Sequence, residues 1–334
     1  MKNFRVLVGC ILLIVAVSCK QENPKNYRPA SIGQVNSLTV VIDNDLWQGK
    51  VGDKVRAHFA APVLGLSSHE PLFTINQVPS SIFTGSIKST RSVLYVEKRD
   101  TINASYIRTD LYARPQKVAV MIGKSEDDII KSIEERADHV IAEFKNLELK
   151  ESQKRFLRSL NKEPELKEKF GISMRVPSVY EVGKEEDNFI WMDRQILKGN
   201  MNIIAYTVPE DYFSNDSTFV SDIVKMRDSI GKKYIPGPDV PNKTTYMITE
   251  KAFAPYVLPA EIGGLKAVEV RGRWEIKNYP MAGPYLTYII NDKVNKRKLI
   301  IEGFTFAPAI AKREFMFELE AILKSININT EQLM

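Results

Sequence analysis

"FTINQVPSSIF", residues 73–83, has an echo further along the chain in "FGISMRVPSVYEV", residues 170–182. Both run Phe-x-Ile and then Val-Pro-Ser, with one more residue between the two parts in the second copy. Proline fixes φ at about −65° and keeps the residue before it out of the helical region, so each stretch reads as a strand running into a turn. An alternating strand follows each echo: "RSVLYVEKR" from Arg91 and "NFIWMDRQ" from Asn188. Each half then shows two strands joined by a polar turn and closed by an amphipathic helix. In the first half these are "SYIRTDLYA", "QKVAVMIG" and a helix over 125–148; in the second, "PYLTYIIND", "RKLIIEGFTFA" and a helix over about 309–327. This ordered recurrence predicts an internal duplication in which 73–148 and 170–327 superpose. Strand pairs on tight turns, with helices between groups of strands, predict an α+β fold of antiparallel sheets covered by helices on one face. A doubly wound α/β fold fits less well, because strands and helices do not strictly alternate.

The first α+β half spans 37–150 and the second 165–330. A charged helical connector lies between them at 148–169, broken at Pro164. "SLTVVID" opens the first half as a strand. In "NDLWQGKVGDKVRAHF" that follows, Trp47, Val51, Val55 and Phe59 fall four apart on one helix face, weakened by Gly49 and Gly52. Ser125 reads as an N-cap, with Glu126, Asp127 and Asp128 complementing the helix dipole and His139 on the polar side. The second half carries extra elements: the strand "MNIIAYTVP", the helix "DSTFVSDIVKMRDSIG" with Gly231 as its left-handed cap, and the strand "LKAVEVRGRWEIKN".

Lys2 and Arg5 precede an apolar run, Val6 to Val17, that is shorter than the roughly 20 residues a membrane-spanning helix needs. These are the proportions of a secretory signal peptide, 1–18. Ala16 and Ser18 lead into Cys19 in an arrangement that resembles a bacterial lipobox; Cys10 lies too close to Arg5 for an apolar core to fit between them. Residues 19–36 are polar and proline-bearing and read as a flexible tether.

Of the 334 residues, 44% are hydrophobic and 26% charged, with a net charge of +6 and no dense Lys/Arg block, which argues against nucleic acid as a partner. Both cysteines, Cys10 and Cys19, lie in the first 19 residues, so the body holds no disulfide, thiolate metal site or catalytic cysteine. With three histidines in the chain, His58, His69 and His139, nothing implies a metal or a cofactor.

No phosphate-binding, nucleophile-elbow or zinc-protease motif is present. In "GLSSHEPLF", His69 and Glu70 follow Ser67 and Ser68, which invites a hydrolase reading; the plainer alternative is a polar loop stiffened by Pro71. "RGRW" at 271–274 offers Arg271 and Arg273 for an anion, or for solvent. Trp191 and Trp274 read as core residues, with carbohydrate stacking as the alternative. "DTI" at 100–102 and "DST" at 216–218 resemble a short bacterial O-glycosylation signal, with Thr101 and Ser217 as acceptors; "DSI" at 228–230 lies within an expected helix.

The lipobox, then "LWQGKVGDKVRAHF", "LSSHEPLF", "DNFIWMDR" and "IEGFTFAPAIAKREFMFELEAIL" together resemble an uncharacterised lipoprotein family of Bacteroidota, known only as a domain of unknown function. The resemblance covers nearly the whole mature chain and implies acylation at Cys19 and a place in the cell envelope. It brings no catalytic residues. The expectation is a lipid-anchored envelope protein with a binding or structural role, held to the membrane by its N-terminal lipid, with an envelope protein or glycan as partner. Lys20-Gln21-Glu22 lacks a dense acidic export run, which favours the outer membrane facing the periplasm. The alternative is an envelope hydrolase built on His69 and Glu70.

Overall fold

The computed structural model describes residues 27–66 and 69–328. Cys19 and the leader lie outside the described residues, as do Ser67 and Ser68. The fold is α+β, in two units joined through a long helix.

In the first unit, β1 (Ser37–Val41), β2 (Thr74–Val78), β3 (Ser92–Lys98), β4 (Ala104–Thr109) and β5 (Lys117–Gly123) form a five-stranded sheet in the order β2-β1-β3-β5-β4. The pairs β1–β2, β1–β3 and β3–β5 are parallel, and β4–β5 alone is antiparallel. α1 (Asn44–Gln48), α2 (Lys50–Phe59) and α3 (Glu126–Phe156) lie along this sheet. Leu38, Val40, Leu94, Val96, Ala119 and Met121 face Val51, Val55 and Phe59 of α2 and Ile129, Ile133 and Phe144 of α3. The opposite face buries Val41, Val93, Val118 and Val120 beneath Phe83. With apolar cover on both faces, this sheet does not need the one-sided alternation of an antiparallel meander.

The second unit contains α4 (Glu165–Phe170), β6 (Ile172–Ser173), β7 (Glu181–Glu186), β8 (Phe189–Ile196), β9 (Gly199–Pro209), α5 (Phe219–Tyr234), β10 (Met247–Thr249) and β11 (Tyr256–Ile262). It continues with β12 (Leu265–Ile276), β13 (Tyr279–Asp292), β14 (Arg297–Phe306), α6 (Arg313–Leu323) and β15 (Asn327–Ile328). Eight strands make one antiparallel sheet in the order β10-β12-β13-β14-β9-β8-β7, with β11 beside β12. Both of its faces are covered as well. Leu286, Leu299 and Ile301 pack with Leu319 and Ile322 of α6, while Tyr206, Ile289 and Phe304 pack with Ile223 and Met226 of α5.

The ββα order recurs as β4–β5–α3 and β13–β14–α6. The stretches that began the echo do not correspond. Pro79 follows the edge strand β2 of the five-stranded sheet, whereas Pro177 follows β6, which pairs only with β15, outside both large sheets. Their places are unrelated, and the expectation of superposable halves is not met.

Ser125 caps α3 as expected: its hydroxyl accepts from the Asp128 amide and the Asp128 carboxylate accepts from the Ser125 amide. Here the 148–169 connector differs from expectation. α3 runs on through Phe156, and Glu148, Leu149 and Ser152 on it are buried. Leu149 packs with Phe317 and Ala321 of α6, and the Gln153 amide donates to the Ala321 carbonyl at 3.0 Å, so the helix is part of the seam between the units. Gly231 is not a cap either, since α5 continues to Tyr234. A Cβ at 231 would sit 2.1 Å from the Met247 carbonyl oxygen, so the glycine lets α5 press against β10.

Residues 31–34 of the expected 19–36 tether are tied to the first unit, and 19–26 lie outside the described residues. The Ser31 amide donates to the Arg114 carbonyl at 3.1 Å and the Ile32 amide to the Ser89 carbonyl at 2.9 Å. Arg91 holds the Gly33 and Gln34 carbonyls while pairing with Glu148 at 2.8 Å, both charges buried. Burial pushes the Glu148 carboxyl above its ordinary value, with Arg91 pulling the other way. No helix of the described residues is long and apolar enough to cross a membrane.

Candidate functional site

His69 and Glu70 part company at the start. His69 is exposed and has no hydrogen bond or ion pair with another described residue. Glu70 is buried, and its carboxylate accepts from the backbone amides of Lys312, at 2.8 and 2.9 Å, and Arg313, at 2.6 Å. A carboxylate is well placed there, at the positive end of α6. Arg313 reaches back, donating to the Pro71 carbonyl at 2.8 Å and the Thr74 hydroxyl at 2.9 Å. Glu70 therefore ties a loop of the first unit to a helix of the second, and the pair does not converge as a hydrolase would need. Glu70→Ala should lower the unfolding free energy by about 1–3 kcal/mol, because two amides at the seam lose their acceptor. A urea midpoint unchanged from wild type would refute that role.

Arg271 is neither solvated nor free for an anion. It donates to Glu320 at 2.8 Å and to Glu269 at 2.6 Å, and all three are buried or nearly so. Lys145 and Lys324 complete the cluster around Glu320. Burial alone would raise the Glu320 carboxyl, but Arg271, Lys145 and Lys324 outweigh it and hold the group well below the usual carboxylate range. Arg273 lies on the same strand and pairs with Glu250 at 2.8 Å. Both arginines are engaged in ion pairs, Arg271 in the core and Arg273 partly exposed. Thr101 and Ser217 are exposed, the Ser217 hydroxyl donating to the Asn215 side chain at 2.7 Å, while Ser229 of the third "DS" pair sits within α5 and donates to the Met226 carbonyl.

The two tryptophans do come together. Trp191 on β8 and Trp274 on β12 line one cleft of about 310 Å³ on the face that carries α5. Phe304 of β14 lies between them, 6.3 Å from Trp191 and 5.9 Å from Trp274, the latter edge-on at 74°. Gly283 stands opposite Trp274 on β13, where a Cβ would meet the Thr305 carbonyl at 2.1 Å and the indole at 3.0 Å. The bare backbone there leaves space for the ring. Asn202, fully buried, accepts the Trp191 indole N–H at 3.0 Å and donates to the Asn200 side chain at 3.0 Å, fixing both. The segment after α5 folds back as a flap: the Gly237 amide donates to the Thr245 carbonyl and the Thr245 hydroxyl to the Pro238 carbonyl. Ile235, Pro236 and Pro238 of this flap, with Met247, Ile276 and Met281, complete the apolar wall.

The Trp274 Nε1–H is buried without a hydrogen-bond partner among the described residues, as are the hydroxyls of Tyr206 and Tyr285 in the same core. None of the lining residues carries a titratable side chain. The cleft can hold a neutral, mostly apolar group, and it offers no acid, base or nucleophile.

Behind it lies a buried charge pair. Arg227 of α5 donates to Glu302 of β14 at 2.6 and 2.9 Å, to the Thr249 hydroxyl at 3.2 Å and to the Met247 sulfur at 3.4 Å. The Thr287 hydroxyl adds a bond to Glu302 at 2.6 Å, and the guanidinium lies 3.6 Å from the Tyr285 ring centroid. Burial pushes the Tyr285 hydroxyl up to about 12. This cluster fixes Met247 and β10, one wall of the cleft. The sequence singles out the tryptophans but not Asn200, Asn202, Phe304 or the flap. The available signal was "NMN" at 200–202, two amides on one strand face within an otherwise apolar strand. Among the described residues, no group of three His, Cys, Asp or Glu side chains is placed to hold a metal ion.

No curated protein matches the chain. Among solved structures it is similar to the crystal structure of LpqN, involved in cell envelope biogenesis of Mycobacterium tuberculosis, at 12% identity over 47% of this chain and 82% of that one, with a TM-score of 0.28. Residues 31–157, the first unit, match the family model "Domain of unknown function (DUF8532)". Residues 159–325, half of the chain, match "Domain of unknown function (DUF4837)", with the boundary between the two matches just past the end of α3. The chain belongs to the DUF4837 family.

Proposed function

We propose that this chain is a lipid-anchored protein of the cell envelope whose folded body works by binding. The observation that carries the binding reading is the Trp191–Phe304–Trp274 cleft, apolar and lined without titratable groups. The anchor rests on the sequence: a short apolar leader that ends in Ala-Val-Ser-Cys at 16–19. Acyl chains contribute roughly 0.8 kcal/mol per buried CH₂, and one chain alone binds only marginally, so the diacylglyceryl and N-acyl groups of lipoprotein processing together hold the protein permanently. The body faces the periplasm from the outer membrane, and exposed Thr101 and Ser217 are acceptors for O-linked glycan.

Cys19→Ser should leave the fold intact and block processing, so that the precursor stays in the inner membrane through its leader. A chain starting at Gln21 behind a conventional cleavable signal should be fully soluble in the periplasm. If that chain still sediments with membranes after a high-salt wash, the lipid is not the anchor.

A further inference from the structure

We infer that the end of the first unit at which the chain enters it rests on an anionic phospholipid surface, that of the membrane holding Cys19. The inference rests on the anchoring reading above and adds the face that meets the lipid. Chain length comes first. Cys19 and Tyr27 are eight residues apart, a reach of at most about 29 Å however the intervening residues are arranged. A body of about 300 residues is roughly 50 Å across. The reach is shorter than the body is wide, so the end that carries Tyr27 is the one brought to the membrane. That end is fixed in place: the Arg114 amide donates to the Pro29 carbonyl at 2.8 Å and the Ile32 amide to the Ser89 carbonyl at 2.9 Å. It lies where β3 and β5 begin and β4 ends.

The side chains at this end suit such a surface. Tyr27, Ile32 and Leu111 are exposed, at 66%, 48% and 36%. Arg28 lies among them, its guanidinium donating to the Asp110 carbonyl at 3.3 Å. Lys88 stands over the Tyr112 ring, 5.4 Å from its centroid, and Arg108 over Tyr106 at 5.3 Å. Cations on long apolar stems, set beside tyrosine, match the boundary between water and acyl chains. Arg28, Lys88 and Arg108 form no ion pair among the described residues. Of the other charges tied into this end, Arg114 pairs with Asp110 at 3.1 Å and Lys117 with Glu143 at 2.8 Å. Three unmatched cations therefore stand beside the anchor, and a layer of anionic headgroups complements them. Each strengthens attachment to an anionic leaflet about fivefold, on the order of a hundredfold for three. That is too little to retain an untethered body, so the chain from Gln21 stays soluble. On a short tether the second contact is intramolecular, and the same attraction is enough to set which way the body faces.

The test uses the chain from Gln21, which keeps every described residue and contains no cysteine. An N-terminal hexahistidine on nickel-chelating lipid takes the place of the acyl anchor. Leu111→Cys carries a polarity-sensitive dye. Leu258→Cys, equally exposed at 36% but on β11 of the second unit, carries the same dye as the control. The vesicles are phosphatidylglycerol with phosphatidylethanolamine, or phosphatidylcholine alone, each with the same share of chelating lipid. The dye at 111 should be at least about twofold brighter on phosphatidylglycerol than on phosphatidylcholine, and the dye at 258 should not change. Arg28→Gln, Lys88→Gln and Arg108→Gln together should abolish that difference while the circular dichroism stays that of wild type, and high salt should do the same. Brightening at 258 instead of 111, or an equal response on both lipids, overturns the inference. No response on either lipid overturns it too, and leaves this face to another occupant such as an acidic protein. The nickel lipid supplies the tether, so any of these failures leaves acylation at Cys19 standing. A failure of acylation shows itself separately, in the mass of the native chain.

Discussion

Arg227→Met is expected to lower the unfolding free energy by about 3–5 kcal/mol, the range for removing one member of a buried ion pair. Arg227 and Glu302 are both buried, and the loss reaches further than one contact. Glu302 would keep the Thr287 hydroxyl but lose all three guanidinium bonds, leaving a buried carboxylate without its counter-ion. Tyr285 would lose the cation over its ring, and Thr249 and Met247 their bridge to α5. The penalty belongs to the stranded charge, so removing the charge as well should recover part of it: Arg227→Met with Glu302→Gln should be more stable than Arg227→Met alone. Urea unfolding of the two single variants and the double variant reads this directly. A loss below about 1 kcal/mol in Arg227→Met would show that water reaches the pair.

Arg271→Met should cost a similar amount at neutral pH, about 3–5 kcal/mol, with a distinct pH signature. In the wild type, Glu320 is held well below its ordinary value near 4.5, burial being outweighed by Arg271, Lys145 and Lys324. A carboxylate lowered by folding contributes stability above its unfolded value, and that stability is lost as pH falls through the carboxylate range. Wild-type stability should therefore drop on acidification below about pH 5. Without Arg271 the largest pull on Glu320 is gone and desolvation remains, so protonation relieves the buried charge in the variant. The gap between the two proteins should narrow steadily from pH 7 to pH 4. A constant gap would mean that Arg271 stabilises through the packing of its stem rather than through Glu320.

How much of this was legible in the sequence differs between local and long-range features. The stripe of Ile129, Ile133, Ala137, Val140 and Phe144, and the Ser125 cap, predict α3 because helix periodicity and capping are local chemistry. Strand partners are not local. The parallel core of the first sheet left a trace in "LTVV" at 38–41 and "VAVMI" at 118–122, continuous runs buried on both faces rather than alternating. The shared Val-Pro-Ser outweighed that trace, although a proline-ended strand can be attached to any sheet. Gly231 reads as a cap from sequence because the Met247 carbonyl it admits lies on another element. Glu70 and Arg271 read as functional groups for the same reason: their partners, the α6 amides and Glu320, lie more than two hundred and about fifty residues away. Trp191 and Trp274 meet only once β8 and β12 are laid into one sheet, with β13, β14 and β9 between them.

The anchoring claim is tested most directly by the intact mass of the full-length protein extracted from envelopes in mild detergent. The expected species is a chain that begins at Cys19 and carries the mass of a diacylglyceryl group and an N-acyl chain, with any further increments assignable to glycan at Thr101 or Ser217. A chain that retains its leader, or one that begins at a residue other than Cys19 or carries Cys19 unmodified, would contradict it.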